Sequence, residues 1–292
     1  MAAQHLAATA ARPVGAAASP VGVAASPVGA AADPWRPRWA DARAVPEGVG
    51  LRPGAAARGA VSRSAGPTPA HRLALEPFED ARYPWSAIGR VDVEGGWASG
   101  ALVGPRHLLT ASHVVVWEGE SAGWMRFTPG AFEDRAPYGQ ADVVAVHYGV
   151  AVVPPSIDAH EERYDFAVCV LDRPVGEQSG WLGVRSYEDH WDGLRLWNLV
   201  GYRGESAHTA QPVHVGGLWL GGHEDHGDES QVIFHAADAT SGLSGGPVLG
   251  QWAQDAVPSV VAVQSWANPF QAGACGGHRL VELVQEARLR YP

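Results

Sequence analysis

Lysine is missing from this chain. All 21 basic residues are arginine, which reads as a compositional bias rather than a device of mechanism. Cysteine is almost missing too. Cys169 and Cys275 are the only two in 292 residues, so no disulfide framework is implied. Cys169 lies inside the apolar run 166–171, where a cysteine behaves as a small hydrophobe; whether it bridges to Cys275 depends on geometry. No apolar run is long enough to cross a membrane. The N-terminus lacks the charged start and apolar core of a secretory signal. Its Ala-rich, acid-poor opening has some transit-peptide character, yet its Pro and Gly would break an amphipathic helix. Positive charge is scarce in the later part of the chain. Residues 1–72 carry 8 arginines against 3 acids, a net +5, whereas residues 73–292 carry 13 against 28, a net −15. That acidic part argues against nucleic acid as a partner, because phosphates need a positive footprint. It reads as a solubility feature.

What the chain has in abundance is glycine and proline, 36 and 22 residues. Residues 13–33 are a seven-residue repeat in triplicate, each copy beginning Pro-Val-Gly. Such sequence carries too little bulky apolar surface to offset its ordering entropy. Residues 1–75 are therefore expected to be a disordered tail or linker, or else a pro-segment whose positive charge lies on the acidic part. From Tyr83 short strands alternate with turn residues: 88–93, 99–103, 107–110, 125–128, 141–147 and 165–171, then 194–202, 213–220, 231–236, 247–249 and 259–266. Two such sets suit an all-β fold of two small barrels or sandwiches. The period then changes. Leu280, Leu283, Val284 and Ala287 recur at i, i+3, i+4 and i+7, which predicts an amphipathic helix over 278–290.

Three stretches carry chemistry. Ser241-Gly242-Leu243-Ser244-Gly245-Gly246-Pro247 offers a serine flanked by glycines, Thr110-Ala111-Ser112-His113 a histidine after a strand, and Tyr164-Asp165-Phe166 an acid before one. A serine hydroxyl is a poor nucleophile until a neighbouring base takes its proton, and a base works well when a third group holds its orientation. Glycines beside the serine let backbone N–H groups face a developing oxyanion.

In this order the stretches resemble the trypsin-like (chymotrypsin-fold) serine peptidases, with Ser265-Trp266 similar to the strand that pairs with substrate backbone. The resemblance spans about residues 83–290. It implies two six-stranded antiparallel β-barrels, about 83–175 and 190–276, followed by the terminal helix, in a peptidase domain over 76–292. It further implies Ser244 as nucleophile, His113 as base, Asp165 as its orienting acid and the amides of Gly242 and Ser244 as oxyanion hole. The implied reaction is endopeptidase hydrolysis of protein or peptide substrates through an acyl-enzyme, with no metal or organic cofactor. A monomer located outside the cell is expected, with no membrane partner.

Departures from the pattern narrow the branch. Val114 and Leu243 stand where animal enzymes carry a disulfide cysteine and the aspartate that pairs with a freed N-terminal amine. Leucine makes no ion pair, so activation of that kind is not expected. Both features, and Tyr83-Pro84-Trp85-Ser86, resemble the bacterial and fungal glutamyl-endopeptidase-like branch. Substrate binding is assigned to Asp238, Gln264, Ser265, Trp266 and Ala267, but no preference follows. Asp238 matches the acid that selects Arg and Lys, Gln264 replaces a carboxylate-accepting histidine with an uncharged amide, and Ala267 narrows the entrance.

Other readings are kept. Gly242–Gly246 also matches the nucleophile elbow of α/β-hydrolases, with Asp255 and His278 in chain order, although Pro247 opens a strand-like run where that elbow needs a helix. A catalytically silent binding module on the same scaffold is the non-enzymatic alternative. The cluster 223–229, rich in His, Asp and Glu, reads as a solvated loop ahead of a metal site.

Overall fold

The computed structural model describes residues 6–10, 39–40, 72–118, 121–154, 159–204, 211–224, 230–252 and 257–292. The triplicate repeat, residues 225–229 of the polar cluster and Asp255 lie outside the described residues. Strands β1 (Ile88–Val93), β2 (Gly96–Gly104), β3 (His107–Thr110), β4 (Met125–Pro129), β5 (Ala141–Tyr148) and β6 (Ala167–Leu171) form the first barrel. Strands β7 (Arg195–Tyr202), β8 (Pro212–Glu224), β9 (Gln231–His235), β10 (Pro247–Gly250), β11 (Ser259–Ala267) and β12 (Ala272–Gly276) form the second. Within the barrels every pairing is antiparallel. The orders β6-β3-β2-β1-β4-β5 and β10-β7-β8-β9-β12-β11 are closed by β5–β6 and β10–β11. Closure leaves no free ladder along the barrel wall.

Both barrels owe their shape to runs buried on both faces. All of β3 and β6 is buried, as is all of β10 and β12. The terminal helix, His278–Arg290, spans the residues the periodicity predicts. Its Leu280, Val281, Leu283, Val284 and Ala287 are fully buried, in one cluster with Leu108, Leu109, Val168 and Leu171 of the first barrel. The second core is smaller and partly aromatic. Trp191, Trp197 and Trp252 meet at ring separations of 5.1–6.0 Å.

Two strand expectations change in detail. Asp165 precedes β6, held in a turn by Asp165 N–H donating to the Glu162 carbonyl, so its side chain is free of the strand's alternation. Strand β12 reads Ala-Gly-Ala-Cys-Gly and has no alternating pattern to reveal it. Its small residues are required, because a Cβ on Gly273 would strike the Trp266 ring and one on Gly276 the Val261 carbonyl.

The segment read as tail also touches the barrels. Leu6–Ala10 runs parallel to β5, and Trp39–Ala40 pairs with Gly183–Arg185. Residues 72–77 lie along the second barrel. Leu73 N–H donates to the Ala236 carbonyl at 2.8 Å, Asp238 N–H donates to the Leu73 carbonyl at 2.9 Å, and Glu76–Pro77 pairs with β8. Both cysteines are free and buried. Burial pushes the Cys169 thiol up to about 12, as befits a packed hydrophobe.

Candidate active site

His113 sits on a single 3₁₀ turn, Ser112–Val114, immediately after β3. Ser112 fixes that turn through its hydroxyl, which donates to the Val150 carbonyl at 2.7 Å and accepts from Val152 N–H at 3.2 Å. Trp117 Nε1 donates to the Ser112 carbonyl at 3.0 Å. His113 is then held twice by one carboxylate. Its backbone N–H donates to Asp165 Oδ1 at 2.8 Å, and its Nδ1 meets Asp165 Oδ2 at 2.6 Å. An ionised carboxylate only accepts, so Nδ1 carries the proton and Nε2 is the ring's free basic nitrogen.

Asp165 is fully buried and is satisfied from both barrels. Ser265 Oγ, on β11, donates to the same Oδ2 at 2.5 Å. The Cys275 thiol, on β12, donates to the Glu162 carbonyl at 2.8 Å just ahead of the acid. Burial, with the Asp165 charge nearby, holds that thiol well above its usual range. A buried charge is tolerated only when hydrogen bonds replace its water. Here three donors do so.

The nucleophile loop arrives from the second barrel and rests on the strand end that carries His113. Gly245 has φ +82°, and a Cβ there would strike Thr110 Oγ1, the Ser99 carbonyl and Ala111 N. Gly242 has φ +86°, and a Cβ there would strike Gly204 N and the Tyr202 carbonyl. Both positions therefore need glycine twice over, for conformation and for space. Ser244 lies between them, half-buried. Leu243 is fully buried in the second core, so an apolar anchor holds the loop where the resemblance offers an ion pair.

The two amides assigned to the oxyanion hole are aimed by their own peptide carbonyls. The Ser241 carbonyl accepts from Gly204 N–H at 2.7 Å, and the Leu243 carbonyl accepts from Gly246 N–H at 2.8 Å. A trans peptide points its C=O and N–H in opposite directions. Anchoring those oxygens inward therefore turns the N–H groups of Gly242 and Ser244 outward. Among the described residues neither N–H donates to a backbone acceptor.

The residues assigned to substrate binding divide. Ser265 is committed to Asp165. Gln264 is only 2% exposed, and its amide donates to the Trp266 carbonyl at 2.8 Å and the Gly273 carbonyl at 3.3 Å. Trp266 is half-buried and Ala267 exposed, with the Trp266 ring edge-on to Phe234 at 6.0 Å. Asp238 is ion-paired. Arg72 Nη1 reaches Asp238 Oδ1 at 3.0 Å while Nη2 donates to the carbonyls of Asn268 and Gln271. His235 is buried nearby; burial and the Arg72 charge hold its imidazole at about 4, against an opposing pull from the Gln264 amide. A cavity of about 140 Å³ lined by Phe78, Trp85, Phe132, Arg135 and Tyr202 contains none of these groups.

Sequence reasoning passes over Ser99 and Arg72. Ser99 is a hydroxyl inside the apolar run 98–103 and is fully buried. A buried polar group of that kind must have partners, and that was the available signal. Arg72 carries no local signal, since its partners lie some 166 and more residues away.

Two antiparallel barrels, a His–Asp pair in the seam and a glycine-flanked serine loop make up the fold of the trypsin-like, chymotrypsin-fold serine peptidases. No family model matches the chain. A glutamyl endopeptidase of Bacillus licheniformis is 26% identical over 171 residues, which cover 58% of this chain and 50% of that protein. The chain thus spans about half the length of that curated relative. A solved Glu endopeptidase superposes with a TM-score of 0.61 at 22% identity, over 75% of this chain and 98% of that one. A thermostable serine protease from an extremophilic microorganism superposes with a TM-score of 0.52 at 16% identity, over 70% and 97%. Among the described residues no helix is long and apolar enough to cross a membrane.

Proposed function

We propose that this protein is a serine endopeptidase in which Ser244, His113 and Asp165 act as a triad. The supporting observation is the doubly bound His113–Asp165 pair beside the loop that carries Ser244. In this reading His113 Nε2 takes the Ser244 proton as Oγ bonds to the scissile carbon. The negative charge that develops on the carbonyl oxygen is met by the amides of Gly242 and Ser244. His113 then returns the proton to the leaving amine as the C–N bond breaks, and water hydrolyses the ester by the same steps in reverse. Asp165 holds the tautomer and offsets the imidazolium charge.

Substrates are proteins or peptides, with a specificity site of balanced charge. The Arg72–Asp238 pair supports this, because Asp238 is not free to select a basic side chain. Gln264 and the neutral His235 supply no cation for an acidic one. Labelling with a fluorophosphonate, alongside Ser244→Ala and His113→Ala, tests the reaction. Adduct on Ser244 together with casein hydrolysis is expected. A folded chain that takes no label would overturn the hydrolase reading.

A further inference from the structure

We propose that Ser99 is the positioning residue that keeps the oxyanion hole open, resting on the hydrolase reading above. Every polar atom of this fully buried residue faces the site. Its N–H donates to the Ser244 carbonyl at 2.9 Å, and its carbonyl accepts from Thr110 Oγ1 at 2.8 Å. Its hydroxyl donates to the Gly242 carbonyl at 2.7 Å and accepts from Tyr202 N–H at 2.7 Å. One residue of β2, in the first barrel, thus grips the nucleophile loop, the strand leading to His113 and strand β7 of the second barrel.

The bond to Gly242 is the one that matters for the hole. Three successive peptides run from Ser241 to Ser244, and the outer two carry the hole's donors. Those two are fixed by Gly204 and Gly246. The middle peptide, Gly242–Leu243, is fixed by the Ser99 hydroxyl on its carbonyl and by Leu243 N–H donating to the Thr240 carbonyl at 3.2 Å. A glycine at φ +86° has no Cβ to resist rotation about its N–Cα bond, so without the hydroxyl the Gly242 α-carbon loses its anchor on the Leu243 side, and the Ser241–Gly242 peptide that bears the N–H is held through the Ser241 carbonyl alone. Leu243 holds the loop's depth by burial, which is non-directional. Ser99 supplies the direction. Gly201 permits the arrangement, since a Cβ there would stand 2.6 Å from Ser99 Oγ and 2.8 Å from Leu243 Cδ2.

The test uses the full chain, a peptide taken from its own casein digest, and active-site titration so that turnover is counted per competent site. Ser99→Ala is expected to lower kcat about 10²-fold, the scale of losing one hole donor, with KM within about threefold and the titratable fraction preserved. Ser99→Cys, whose thiol is a weaker donor, is expected to fall between. A role confined to folding would lower the titratable fraction and the melting temperature while leaving kcat per site unchanged, and that result overturns the proposal. So does a kcat for Ser99→Ala within threefold of the parent. Should Ser99→Ala fail to fold, Ser99→Cys decides by the same readouts. A parent chain that neither cleaves nor labels overturns the hydrolase reading, and this role with it.

Discussion

The two barrels contribute to the site in different currencies. The first supplies side chains: His113 and Asp165 stand at strand ends and are aimed by hydrogen bonds to one another. The second supplies backbone: the Ser244 loop is shaped by two positive-φ glycines and by carbonyls anchored inward. Their cores follow suit. The first is dominated by aliphatic residues from strands and the terminal helix, while the second holds an aromatic cluster and the side chain of Leu243. A base and its acid need chemistry fixed at their tips, whereas an oxyanion hole needs only the direction of N–H bonds. Damage to the His113–Asp165 pair should therefore appear in protonation, and damage to the Ser244 loop, or to Ser99 that holds it from the first barrel, in geometry.

The largest break in that comparison is Asp165→Asn. An amide in place of the carboxylate supports the wrong imidazole tautomer, and kcat is expected to fall about 10⁴-fold. Steady-state kinetics check this, with circular dichroism showing that both barrels persist. Next is Leu243→Ala, which opens a cavity in the second core beneath the loop. It should cost about 2–5 kcal/mol in urea unfolding and lower kcat as well. Leu102→Ala, equally buried in the first barrel, should cost a similar amount while sparing kcat per titrated site. A loss of turnover as large for Leu102→Ala as for Leu243→Ala would dissolve the distinction between the barrels.

Acid should strain both barrels, most of all through one deeply depressed histidine in each, with His147 and His214 lowered by burial as well. His107 in the first and His235 in the second are held at about 4 by burial, aided by the charges of Arg288 and Arg72 respectively. The unfolded chain binds those protons near pH 6.5, so stability is full above that value and is lost as the pH falls toward 4. Urea midpoints at pH 7, 5.5 and 4.5 should decline accordingly, by on the order of a few kcal/mol for the pair. His107→Asn and His235→Asn should each flatten part of the slope. The smallest effect belongs to Arg72→Ala. Freed of its partner, Asp238 should raise cleavage after Arg and Lys several-fold in a peptide digest, with kcat on other sites little changed. An unaltered cleavage pattern would mean that Asp238 does not face the substrate.

Much of this was legible because it rests on patterns that a linear string preserves. The helix over 278–290 announces itself by period, since one face must enter a core. Strands such as β6 and β11 do so by apolar runs, and the serine loop by its glycines. Strand β12 hid because its residues are small for the sake of Trp266 and β11, contacts between neighbours that no run of five residues records. Ser99 and Arg72 hid for the same reason on a larger scale: their partners are brought in by barrel closure. The order of His113, Asp165 and Ser244 is in the sequence; the hydrogen bonds that aim them are a property of the seam.

The terminal helix has a consequence in time as well as space. It leaves the second barrel at β12 and returns to bury Leu280, Leu283 and Val284 against the first. A chain emerging from the ribosome would thus carry its first barrel with an unsealed flank until the second has been made. Long-range closure of this kind folds slowly and exposes apolar surface meanwhile. The His113–Asp165 pair would likewise wait for the second barrel, because the Ser265 hydroxyl that completes the buried carboxylate's hydrogen bonds comes from β11.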